Sequence, residues 1–228
     1  PSSGRTKPLM PTPPSTEDVS TMSSATLAHD ETHDAHEAHH TSFPIDNRKL
    51  AIWSFIGSEC LFFATLISTF LIYKDNHPKG PGPKDIFEVG LVTGGTAVLL
   101  FSSFFVVMAL NGAQEGNRKK MLGWLAATIG CGLFFMGMQV YEFSHFYHQG
   151  LGYTTNLFAT SFYTLTGFHG THVAIGTLWL ITVFKDAVKG DLPPAKALNL
   201  ELAALYWHFV DVVWIIIFPV VYLMNMRG

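Results

Sequence analysis

Charge is what this 228-residue sequence has least of. Asp, Glu, Lys and Arg make up 14% of it, against roughly 25% in ordinary soluble domains. That shortage excludes a water-facing globular surface over most of the chain. A basic excess is also missing. The formal net charge is -3 with histidine neutral, which excludes nucleic acid as a partner, because phosphate binding needs a basic surface. Cysteine is scarce as well. Cys60 and Cys131 each stand alone in an apolar run, which excludes a disulfide framework or a cysteine-based metal motif and predicts buried thiols acting as small apolar fillers. No internal repeat is present, which counts against an inverted-repeat transporter. The first 42 residues hold no apolar core of the kind a cleavable signal carries.

What is present is long apolar stretches. Hydrophobic residues reach 48%, and they gather in five runs at about 50–73, 86–110, 121–146, 157–184 and 200–224. Each exceeds the ~20 residues that cross ~30 Å of hydrocarbon at 1.5 Å per residue. Backbone polar groups in lipid must be satisfied within the segment, so the runs are helices. The fold class that follows is all-α: an integral membrane bundle of five transmembrane helices over 46–228, preceded by a polar, histidine-rich tail over 1–45. The links are expected at 76–84, 111–120 and 185–199, where Pro, Gly and charged residues collect.

The tail carries four prolines between Pro8 and Pro14, a Ser/Thr-rich stretch, and His29, His33, His36, His39 and His40. It cannot bury enough apolar surface to offset its chain entropy, so most of it reads as disordered. Weak metal capture or pH-dependent docking is one reading of the histidines. A solvated acidic-and-histidine tail is the other, and the composition favours it.

Positive charge sets the orientation. Near the spans, Arg48, Lys49, Arg118, Lys119, Lys120, Lys185, Lys189 and Lys196 lie on one side, and Lys74, Lys79, Lys84 and Arg227 on the other. This places the N-terminus in the cytoplasm. Small residues at Gly90, Gly94 and Gly95 form a G-x-x-x-G face, and further glycines dot the third and fourth spans, where close helix packing would use them.

Ionisable side chains at membrane depth are functional candidates by default, because each is costly to insert. Glu59 lies about nine residues into the first span, roughly 14 Å deep. Either another span supplies it a donor or it carries a proton, and proton-active and structural roles both stay open. Gln139, Glu142 and His145 recur every three residues and share a face. Glu142 and His145 form one E-x-x-H pair, but a di-iron bundle needs two with further carboxylates, so a hydrogen-bonded patch near the outer interface is favoured over a metal. His169 and His172 also share a face; copper or haem ligation is weighed against inter-helix hydrogen bonding or lipid contact. His208 and Asp211 lie three apart on the last span, where the carboxylate would orient the imidazole.

Three segments carry a resemblance: Ser58-Glu59-Cys60-Leu61-Phe62-Phe63, Thr166-Gly167-Phe168-His169-Gly170-Thr171-His172-Val173, and Tyr206-Trp207-His208-Phe209-Val210-Asp211-Val212-Val213-Trp214. In this order, and over about 45–226, the chain resembles subunit III of the haem–copper terminal oxidases, in the five-helix bacterial form. Longer members of that family have seven helices; the polar tail stands where the first two would be. The resemblance implies a non-catalytic subunit, most commonly of the cytochrome c oxidase type and alternatively of a quinol oxidase. It would bind no cofactor itself and pack on subunits I and II, which hold the haem and copper. Other respiratory-complex subunits and phospholipid are further expected partners. It would support proton uptake, oxygen access and stability while oxygen is reduced to water in the bacterial cytoplasmic membrane. It also matches Glu59 to the family's carbodiimide-reactive carboxyl, and makes Gln139, Glu142, His145, His169, His172, His208 and Asp211 polar or lipid contacts rather than metal ligands.

Overall fold

The structure, a computed structural model, describes residues 47–75, 89–190 and 194–224. The histidine tail and the Pro/Gly-rich link at 76–84 lie outside the described residues. Of the two units into which the chain divides, Pro1–Ile45 is therefore not described and Asp46–Gly228 holds everything below.

Among the described residues there are five long helices: α1 Asn47–Tyr73, α2 Val89–Gln114, α3 Arg118–His148, α4 Leu157–Lys189 and α5 Pro194–Phe218. A π-helical turn, Pro219–Leu223, continues α5. All five are long and apolar enough to cross a membrane, and the chain is a multi-pass membrane protein. Large apolar side chains such as Leu61, Ile72 and Val140 stay exposed on the outside, as suits a surface solvated by lipid tails.

The helix ends differ from the sequence reading in one consistent way. The 111–120 link shrinks to three residues, because α2 runs to Gln114 and α3 starts at Arg118. Gly116, at φ 69°, makes the tight reversal, and the Asn117 side chain accepts from the Lys120 backbone N–H at 3.1 Å, capping an otherwise orphan donor. Likewise α4 runs on to Lys189 and closes at Gly190 with φ 85°, a left-handed end that glycine adopts without strain. Pro194 does not block α5 but is its first residue, where its missing N–H costs nothing. Polar residues beyond the hydrocarbon keep the helix going, so apolar runs understate helix length.

α5 is the centre of the bundle, packing against α2, α4 and α1, while α2–α3 and α3–α4 complete the ring. Trp207 and Trp214 on α5, and Tyr222 just after it, are fully buried. Both indoles donate across to α2: Trp207 to Ser102 Oγ at 2.9 Å and Trp214 to Thr96 Oγ1 at 3.0 Å. α1 is attached by a narrow stripe, since its buried residues are Ile56, Phe63 and Phe70, seven apart.

The glycines sort sharply. A Cβ on Gly132 would stand 2.7 Å from both Thr177 and Trp207, and one on Gly176 would stand 3.0 Å from Trp207. These two let the central tryptophan in. Gly90 and Gly94, by contrast, meet nothing within 4 Å among the described residues, and only Gly95 of that trio is packed, against Met138. The expected G-x-x-x-G face is thus a single close approach. The cysteines also correct the sequence reading: Cys60 is exposed and Cys131 half-buried, so neither fills the core.

Candidate functional site

The polar residues singled out in the sequence are drawn into separate places, most of them between neighbouring helices.

Glu59 on α1 and His172 on α4 meet. Glu59 Oε2 lies 3.2 Å from His172 Nε2, so another span supplies it a hydrogen-bond partner. The other ring nitrogen, Nδ1, lies 2.8 Å from the Phe168 carbonyl and must carry a hydrogen, because a carbonyl only accepts. One more proton then sits between Nε2 and Oε2. It makes the pair either carboxylic acid with neutral imidazole or carboxylate with imidazolium, and both arrangements leave it neutral overall. Such a pair suits membrane depth, where a lone charge is costly. The Glu59 side chain retains 19% exposure, enough to be reached from the lipid side. Phe63 lies edge-on to His172 at 5.0 Å between ring centroids.

His169, three residues earlier, goes elsewhere. It is wholly buried, stacked on Trp214 at 4.7 Å and edge-on to Phe135 at 6.0 Å. Neither of its nitrogens has a hydrogen-bond partner among the described residues. The two histidines therefore do not act as one pair.

Gln139, Glu142 and His145 do not form a single patch. The Gln139 amide donates to the Thr166 carbonyl on α4 at 2.7 Å, and its head group lies where a side chain on Gly170 would be. Glu142 is buried and accepts from Tyr222 Oη at 3.1 Å. His145 Nε2 lies 2.7 Å from Gln149 Nε2 at the exposed end of α3. A three-residue step turns about 60° short of a full circle, which is enough to send Glu142 inward and His145 toward the surface.

His208 and Asp211 are linked only through a residue absent from the sequence reading. Ser103 on α2 donates to Asp211 Oδ2, and its Oγ lies 3.2 Å from His208 Nδ1. The carboxylate therefore does not hold the imidazole directly. Ser102, Ser103, Thr96 and Tyr222 were all missed. The signal for the first two was a serine pair inside an apolar run; Thr96 and Tyr222 gave none.

Among the described residues, no three His, Cys, Asp or Glu side chains gather as a metal site would require. A shallow groove between α3 and α4 is lined by Met136, Val140, Phe143, Gly167 and Gly170, with Gln139 at its wall. It is almost wholly apolar.

The family profile described as Cytochrome c oxidase subunit III matches residues 19–226, beginning within the N-terminal tail. The chain is 42% identical over 182 residues to "Cytochrome c oxidase subunit 3" of Bacillus sp. (strain PS3), covering 80% of this chain and 88% of that protein. It is 39% identical to "Quinol oxidase subunit 3" of Bacillus subtilis, covering 78% and 88%. It is 35% identical to "Cytochrome bo(3) ubiquinol oxidase subunit 3" of Pseudomonas aeruginosa, covering 87% and 93%. Five apolar helices, polar residues paired across them, and this agreement over most of the sequence place the chain in the cytochrome c oxidase subunit III family of the haem–copper oxidases.

Proposed function

We propose that this chain is the non-catalytic third subunit of a cytochrome c-type oxidase, packed on subunits I and II. In this reading it supports proton uptake, oxygen access and stability while its partners, which hold the haem and copper, reduce oxygen to water. Glu59 is its functional carboxyl, and the remaining polar residues serve inter-helix or lipid contacts. The observation that carries this is the Glu59–His172 pair: a proton shared across two apolar helices, on a carboxyl side chain that keeps 19% exposure. The apolar groove between α3 and α4 supports a phospholipid tail as a further ligand. The charge asymmetry of the flanks supports a cytoplasmic N-terminus in a bacterial cytoplasmic membrane.

Relatives carry both cytochrome c oxidase and quinol oxidase names, so the electron donor is decided by the partners. Purification in mild detergent tests the whole reading. The chain alone should be colourless, and it should run with haem-bearing subunits, one of them carrying a copper-binding cupredoxin domain. A companion that lacks the copper ligands would assign a quinol oxidase. A chain that purifies alone, or absorbs visible light by itself, would refute the reading.

A further inference from the structure

Among the described residues, one strip of α5 is left partly open. Leu205, His208 and Val212 recur at three- and four-residue spacing and share a face; the first two are half-buried and Val212 is 53% exposed. α5 turns Trp207 and Trp214 to α2 and Phe209 to Phe63 of α1. The strip lies between those two contacts. Its edge on α2 is made by Leu100, Ser103 and Val107 at the same spacing, the two aliphatics 43% and 46% exposed. The helices run antiparallel here: Thr96 meets Trp214, Ser102 meets Trp207 and Ser103 meets His208. Val107 therefore stands level with Leu205, and Leu100 with Val212. The seam has three rungs: aliphatic, polar, aliphatic. His208 comes ten residues after Leu198, where the span begins, so the polar rung lies about 15 Å into a hydrocarbon layer of about 30 Å.

The polar rung has a direction. A serine has one proton, and with Asp211 as the carboxylate Ser103 gives it to Oδ2. Its oxygen must then accept from His208 Nδ1, 3.2 Å away. In a neutral ring that leaves Nε2 as a bare acceptor, and none of the described residues donates to it. Lipid tails cannot donate either.

We propose that this seam receives a transmembrane helix of another oxidase subunit, which packs on the two aliphatic rungs and gives a side-chain hydrogen bond to His208 Nε2. The assignment rests on the oxidase-subunit reading above and names the face it uses. An acyl chain would fit the outer rungs but leave the acceptor unmet. A second copy of this chain would set acceptor against acceptor.

The test is photo-crosslinking in native membranes of the assembled complex, with p-benzoylphenylalanine in place of Leu205 or of Val212. Both positions should crosslink to one transmembrane segment of a co-purifying subunit, identified by mass spectrometry, with a donor side chain between the two attachment points. His208→Leu should lower the share of that subunit retained in mild detergent about threefold or more. If that variant fails to fold, the two crosslinks in the otherwise unaltered chain decide the matter. Crosslinks to lipid alone, or to a second copy of this chain, in a complex that still carries its haem-bearing subunit, overturn the face assignment and leave the oxidase reading standing. A chain found without any haem-bearing subunit overturns both.

Discussion

Glu59 and His172 are 113 residues apart in sequence, yet Oε2 of one lies 3.2 Å from Nε2 of the other. The pairing makes α1 and α4 share a proton at membrane depth. It also gives α1, which has only three buried residues, a polar anchor beside its narrow apolar stripe. A hydrophobic carbodiimide reaching from lipid should label Glu59, and Glu59→Gln should assemble but resist labelling. His172→Leu leaves the carboxyl in place, so labelling should persist. Mass spectrometry of the labelled peptide reads both outcomes; a label that survives Glu59→Gln points to another residue.

Gly132→Ala should destabilise the bundle by roughly 1–3 kcal/mol, the usual cost of overpacking, because the new methyl meets Thr177 and Trp207 at 2.7 Å. Gly137→Ala, five residues along the same helix with nothing within 4 Å, should be neutral or slightly stabilising. Unfolding in mixed detergent distinguishes them. Equal effects would show that the central tryptophan is not seated as described.

Trp214→Phe and Thr96→Val each remove one end of a buried hydrogen bond between α5 and α2. A double-mutant cycle should give a coupling of about 0.6 kcal/mol and no more than about 1.7, the mean and maximum found for inter-helix hydrogen bonds in a membrane protein. Strictly additive single effects would mean the indole and hydroxyl do not interact.

Tyr222→Phe removes the hydroxyl that donates to Glu142 at 3.1 Å. The loss should be about 1 kcal/mol, measured as a lowered thermal midpoint in detergent, with no change in helix content. Glu142→Gln keeps an acceptor in place and should cost less than Glu142→Leu. The reverse order would deny the contact.

How much of this was legible beforehand differs by level. The five spans were plain because lipid demands about 20 apolar residues per crossing, a constraint that local sequence cannot disguise. Their ends were not, since Asn111 and Lys185 are polar and exposed and still extend α2 and α4. The costly residues were also plain: Glu59, Glu142, His169 and Asp211 stand out in apolar runs. Their partners were hidden, because pairing depends on which helices become neighbours. Ser103 and Tyr222 are unremarked residues until α5 is laid against α2 and Tyr222 against α3. Spacing misled where it was trusted alone. The E-x-x-H pair divides between the core and a helix end, and the two histidines of the fourth span serve an aromatic cage and a carboxyl respectively.

Pro219 opens a wider turn at the end of α5, the five residues Pro219–Leu223, and the sequence reading passed over it as part of one apolar run. A proline there has no N–H to give and crowds the carbonyl behind it, and the backbone takes in an extra residue rather than stopping. Each residue so absorbed resets the phase of everything downstream by about 100°. Tyr222 sits within that wider turn and donates to Glu142, so the final contact of the chain is aimed by a local winding distinct from the one that orients the two tryptophans before it.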